Sequence, residues 1–167
     1  MTLEALNALS DHAARDALTA CCGTPRWVAH MLDARPFASR EAFFREADDA
    51  WRQLTLDDMG TAIANHPRIG ETPGATPRSA VSAGWSKSEQ SGALEATDAV
   101  RAAFAQLNVE YELRFGHRFI LCALGKSAAE MLSALRTRLT NDSLMEFENT
   151  ARELRAITTL RLHKLLP

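Results

Sequence analysis

The chain has little cysteine: three in 167 residues, Cys21, Cys22 and Cys122. An odd count argues against a disulfide framework. Adjacent Cys21 and Cys22 lack the spacer that a zinc half-site needs between ligands. They read as small buried residues in a reducing compartment. Cys122 has apolar neighbours, which raise a thiol's pKa and argue against a nucleophile. No charge of one sign dominates either. The net charge is −2, which excludes the basic footprint of a nucleic-acid binder but not a small basic pocket for an anionic substrate. No run of 18 apolar residues exists, so no membrane span is expected. The opening MTLEALNALSDHAARD has acids early and no long apolar core, unlike a secretory signal. The closing Leu165-Leu166-Pro167 is not a peroxisomal address. Internal repeats, low-complexity tracts and interdomain linkers are also missing. At 46% apolar and 24% charged residues, one domain spanning 1–167 is the expectation. A chain this long buries roughly 70% of its unfolded surface and needs no disulfide or metal staple.

What is present is helical pattern almost throughout, with no convincing strand pair. The expectation is an all-α bundle of about eight helices with a loop-rich segment at 66–85. Ser10 or Asp11 caps a helix toward Cys22. Thr24-Pro25 places proline at a first helical position. Ser39 caps a segment carrying Phe43, Ala50 and Trp51, and Thr55 opens one that runs to Asn65. Residues 71–85, with Pro73, Gly74, Pro77 and Gly84, form the longest loop, with room for a short helix at 79–83. Ser86-Lys87-Ser88-Glu89 has the form of a capping box, followed by Val100, Phe104, Leu107 and Tyr111 at helical spacing. Phe119 to Ala123 is a short apolar run whose period does not separate helix from strand. Ser127-x-x-Glu130 and Ser143-x-x-Glu146 open the last two helices. Leu144, Phe147, Ala151, Leu154 and Ile157 make the final buried stripe, and Arg161 falls one turn further on the same face.

The chemistry concentrates in His66-Pro67-Arg68-Ile69-Gly70-Glu71. Proline biases the residue before it away from the α region, so the helix stops at His66 and the imidazole sits on a stiff turn. A plain polar turn is the simpler reading of these six residues alone. Gly125-Lys126-Ser127 ends like a phosphate loop, but Ile120 stands where its first glycine belongs. His66, His117 and His163 are too scattered for a metal pair on one helix. Glu89 can be merely the fourth residue of a capping box. That box would also put Glu89, Gln90 and free amides at an electropositive helix end. Arg161 can cap its own helix, although a guanidinium on an apolar stripe needs a carboxylate or a ligand.

Together these pieces resemble one family. HPRIGE at 66–71, Ser88-Glu89-Gln90, Arg114-Phe115-Gly116 with Phe119-Ile120, Gly125-Lys126-Ser127, then Asn141, Glu146, Glu153, Ile157 and Leu160-Arg161-Leu162 occur in this order. The chain is similar to 2-oxo-4-hydroxy-4-carboxy-5-ureidoimidazoline (OHCU) decarboxylases over about residues 5–166. Arg118 and Leu124 depart from the family pattern at the edge of the substrate loop. The resemblance implies an all-helical, cytoplasmic homodimer that uses no metal or organic cofactor. The implied reaction is decarboxylation of OHCU to (S)-allantoin in urate degradation. Functional links to a 5-hydroxyisourate hydrolase and a urate-oxidising enzyme are implied too, with no nucleic-acid or membrane partner.

Decarboxylation leaves an electron pair on carbon, which a cofactor-free enzyme must delocalise into the substrate's own ring and then protonate on one face. His66 suits the proton transfer, because imidazole titrates closest to neutral pH. Glu89 suits the carboxylate that holds the substrate hydroxyl or orients the imidazole. Gln90 can read the ureido group as donor and acceptor, with Ser86, Lys87 and Ser88 beside it. Backbone N–H groups around Ile120, Leu121, Cys122 and Ala123 would serve the oxyanion, with Phe119 binding substrate beside them. Arg161 would clamp a planar edge, and Pro67 would pack on the substrate ring. Two other classes are open to the residues alone. A non-catalytic helical interaction module would not need His66, Glu89 and Arg161 to converge, and a metal-dependent hydrolase would lose activity to a chelator.

Overall fold

The computed structural model describes residues 1–70, 80–94 and 96–167. Its helices are α1 (Leu3–Ala8), α2 (Asp11–Cys21), α3 (Pro25–Asp33), α4 (Arg40–Arg52), α5 (Leu56–Ala64), α6 (Ala80–Glu89), α7 (Ser91–Leu94), α8 (Asp98–Phe115), α9 (Ala128–Arg138) and α10 (Ser143–Leu165). Among the described residues there is no strand, so the all-α class holds. Eight of these helices have at least nine residues. None is long and apolar enough to cross a membrane.

Several helices begin where a side-chain oxygen satisfies an orphan amide. Ser10 accepts from Ala13 N, Ser39 from Ala42 N and Thr97 from Val100 N. Ser127 and Glu130 make a complete capping box. Pro25 occupies the first turn of α3, but the Thr24 hydroxyl gives no cap there and accepts from the Cys22 thiol instead.

Two expected capping boxes are absent. Ser86–Glu89 forms the last turn of α6, not the start of a helix. The short helix expected at 79–83 is the start of α6, which runs on through the rest of the expected loop, and the next long helix starts instead at Thr97-Asp98. The N-cap of α10 is Asp142, whose carboxylate accepts from Met145 N at 2.9 Å. Leu144, placed on the buried stripe, is 72% exposed, because the inward side of this end of α10 is taken by Glu146 and Thr150, both 0% exposed. The loop expected at 71–79 lies outside the described residues.

The chain divides into two compact units: residues 1–62 with 157–167, and residues 63–156. In the first, α2, α3 and α4 pack in succession around Leu18, Trp27, Met31 and Phe43, all fully buried. The Trp27 indole donates to Ala47 O at 3.1 Å. In the second, α9 packs on α7 and α8, enclosing Phe104, Tyr111, Phe119, Met131 and Leu135. At Gly92 the backbones come so close that a Cβ would lie 2.2 Å from Lys126 O. Gly125-Lys126-Ser127 is therefore a turn seated on α7 that delivers the Ser127 cap.

Candidate active site

The His66 turn is held at every step. α5 stops at Ala64, and the His66 amide donates to Ile63 O at 3.0 Å, as the following proline requires. Arg118 Nη1 donates to Ala64 O at 2.9 Å and to His66 O at 2.7 Å. Arg68 forks onto Glu112, with Nε–Oε1 2.6 Å and Nη2–Oε2 2.8 Å. This fork holds the Glu112 carboxyl below its ordinary range, as bidentate charge-assisted bonds do. Asn108 Nδ2 donates to Ile69 O at 3.1 Å. Gly70 has φ +81°, and a Cβ there would press the Phe104 side chain at 3.3 Å. The turn thus needs glycine for both conformation and room. His66 and Pro67 are half-buried.

The segment at 86–90 is split by helix geometry. Ser82, Ser86 and Glu89 fall on one side of α6, four and three residues apart, and all three are buried. Lys87 and Ser88 face solvent, and Gln90 is half-buried. Glu89 is the last residue of α6, so its carboxylate stands at the negative end of the helix dipole. The helix start expected at Ser86 is not what the fold provides; the next helix, the single turn of α7, opens only after Gln90.

Residues 119–123 have no regular secondary structure, and only Cys122 is more than slightly exposed. A buried ionic network fixes them. Arg138 Nη1 donates to Ile120 O at 2.5 Å, and its guanidinium lies 4.7 Å from the Phe119 ring centre. Arg138 Nε donates to Glu146 at 2.7 Å, and Nη2 donates to Thr150 at 2.9 Å. Glu146 also accepts from the Tyr111 hydroxyl and from Asn141 Nδ2. Burial and the Glu146 carboxylate push the Tyr111 phenol well above its ordinary pKa, so it stays a donor.

Cys122 N–H donates to the Glu153 carboxylate at 2.7 Å. Of the amides suggested as oxyanion donors, this one is engaged by Glu153. Burial first, then Glu153 and Glu89, push the Cys122 thiol above its ordinary pKa, so it is a poor nucleophile. Glu153 on α10 and Glu89 on α6 are thus both near enough for their charges to act on the Cys122 thiol. Sequence reading passed over Glu153, Arg138 and Arg118 as site residues. Glu153 and Arg118 had a signal, since one lies in the motif order and the other departs from it. Arg138 had none.

In the first unit, Arg161 is 4% exposed, and its Nη1 donates to Ala20 O on α2 at 3.4 Å. Its charge reaches Cys22, whose thiol burial pushes up despite its bonding with Thr24 and Thr158. Among the described residues no group of three His, Cys, Asp or Glu could hold a metal ion.

The family model described as OHCU decarboxylase matches residues 7–163. The chain belongs to the OHCU decarboxylase family. It is 38% identical over 90% of its length to a uric acid degradation bifunctional protein of Arabidopsis thaliana, spanning 46% of that protein. It is 29% identical over 97% of its length to the 2-oxo-4-hydroxy-4-carboxy-5-ureidoimidazoline decarboxylase of Haloferax volcanii, spanning 94% of it. A crystal structure of OHCU decarboxylase in the presence of (S)-allantoin superposes with a TM-score of 0.75 at 33% identity. That match covers 90% of this chain and 96% of that one. The chain spans less than half the length of the bifunctional relative. Its decarboxylase family membership rests on the match that runs almost end to end.

Proposed function

We propose that this chain converts OHCU to (S)-allantoin by decarboxylation without a cofactor, the closing step of urate degradation. The observation that carries the reading is the match to OHCU decarboxylase over residues 7–163, with the HPRIG turn held rigidly inside it. The match runs through both compact units, which supports one functional domain over residues 1–167.

His66 acts as the proton donor beside the substrate hydroxyl and carboxylate, presented on a backbone whose carbonyls at 64, 66 and 69 are all held. Preorganisation of this kind lowers a barrier because no reorganisation accompanies the reaction. Glu89, buried on the inner side of α6, orients the hydroxyl or the imidazole. Gln90 and Ser86 complete that edge, while Lys87 and Ser88 act from the rim. The 119–123 amides other than that of Cys122 serve the developing oxyanion. Pro67 packs on the ring, and the clamp on the planar ureido or carboxyl edge is assigned to Arg161 by the family resemblance.

A homodimer in the cytoplasm is part of the same proposal, in keeping with three free cysteines. So is a link to the preceding hydrolase step, which the bifunctional relative in uric acid degradation supports. Freshly made OHCU should give (S)-allantoin, followed by circular dichroism against the racemic spontaneous background. A product that stays racemic at the uncatalysed rate would overturn the reading. Activity that dies with EDTA and returns with Zn²⁺ would favour a metal-dependent hydrolase.

A further inference from the structure

We infer that Arg118 is a positioning residue for His66, a single guanidinium nitrogen that fixes the direction from which the imidazole is presented. The inference rests on the reading of His66 as the proton donor. Arg118 Nη1 donates to Ala64 O at 2.9 Å and to His66 O at 2.7 Å. The first carbonyl is in the last turn of α5, where helix carbonyls have no partner of their own. The second belongs to the residue before Pro67. Proline restricts ψ of that residue to a broad extended region but does not fix it. Turning about ψ swings the carbonyl relative to the Cα–Cβ bond. Holding the His66 carbonyl therefore holds its Cβ direction, and sharing the nitrogen with Ala64 references that direction to the end of α5.

Arg118 is itself well seated. The His117 ring meets Arg118 O through Nδ1 at 3.1 Å and packs edge-on to Tyr111 and Phe147. On the other side, Phe119 is buried under Arg138. The nearby carboxylate, Glu112, is occupied on both oxygens by Arg68. Arg118 helps keep Glu112 ionised but spends its Nη1 hydrogens on the two carbonyls. An arginine that only capped α5 would bond the carbonyls of its last turn. This one joins two backbone oxygens two residues apart, on either side of the α5 exit.

The test uses the whole chain and three variants. Arg118→Met keeps the aliphatic stem and removes the donors. Arg118→Lys keeps the charge and one donor nitrogen on a somewhat shorter side chain. His66→Ala tests the reading beneath. A misplacement near 1 Å can cost up to about a hundredfold in rate. Arg118→Met should accordingly lower kcat roughly tenfold or more, with KM changed less than twofold and the product drifting toward racemic allantoin. Arg118→Lys should keep at least a third of wild-type kcat. A merely structural role would lower the melting temperature without this split between kcat and KM. If Arg118→Met melts below the assay temperature, Arg118→Leu, which also removes the donors, replaces it under the same criteria. Wild-type kcat in Arg118→Met, or Lys falling as far as Met, overturns the inference while an inactive His66→Ala leaves the function standing. An active His66→Ala overturns the reading of His66 and the inference with it.

Discussion

Glu146 offers the sharpest test of how the 119–123 segment is held. It is 0% exposed and accepts from Tyr111, Arg138 and Asn141. Replacing it with glutamine keeps the shape, removes the charge and turns an NH2 toward a donor. Arg138 is left as a buried cation with only neutral oxygens, those of Ile120, Thr150 and Tyr111. Breaking one side of a buried ion pair costs about 3–5 kcal/mol. Glutamine still accepts one bond, so the lower end, about 3 kcal/mol, is expected. For a chain of this size each kcal/mol shifts Tm by roughly 2–4 °C, which gives a fall of roughly 6–12 °C. The assay is thermal and urea unfolding at pH 7, repeated down to pH 3. Burial pulls the Glu146 carboxyl upward, but the bonds from Arg138, Tyr111 and Asn141 win and hold it below its ordinary value of 4.5. A depressed carboxylate stabilises the fold above its unfolded pKa and loses that contribution as pH falls through the folded one. Glu146→Gln should therefore flatten part of the acid limb, with Glu112 supplying a remainder of the same sign. Arg138→Met with Glu146→Leu should cost less than the two single changes summed, since no unpaired charge remains. A loss under about 1 kcal/mol and an unchanged acid limb would refute the reasoning.

Gly92→Ala should lower Tm measurably with little choice of relief, because the atom it meets at 2.2 Å is backbone, Lys126 O; a Tm within 1 °C of wild type, on the order of a few tenths of a kcal/mol, would contradict that contact. Glu89→Gln should cut kcat by about 10²-fold or more with Tm nearly unchanged, since glutamine keeps the side-chain shape at the end of α6; normal kcat would remove it from the chemistry. Arg161→Lys should raise KM, because one ammonium cannot reproduce two parallel donors, and unchanged steady-state kinetics would reject the clamp.

The local rules were legible where a few consecutive residues decide the outcome. The His66 turn is written in five neighbours: Pro67 stops the helix, and Gly70 supplies the positive φ. Phe104 and Tyr111 were readable as core from their spacing, and both are buried. The Ser-x-x-Glu pattern shows the limit. It occurs at Ser86, Ser127 and Ser143, yet only Ser127 makes the box. A box requires that the serine leave the helical region, and a six-residue helical run ahead of Ser86 keeps it inside. Before Ser143 stands Asp142, which takes the cap and frees Glu146 to turn inward to Arg138.

The candidate site shows the same division at longer range. His66 and Glu89 are residue types that announce chemistry, so they could be singled out without a fold. Their supports could not. Arg118 lies 52 residues from His66, and Glu153 lies 31 from the amide it binds. Each is a surface-type charge on a chain with 19 basic and 21 acidic residues, and no periodicity marks which of these turn inward. The cost of burying a charge marks them only after folding, when Arg138 has to find Glu146, Ile120 O and Thr150 together. Such networks hold a reacting group to a fraction of an ångström because every member is constrained by several others. That mutual dependence is also why no short stretch of sequence contains them.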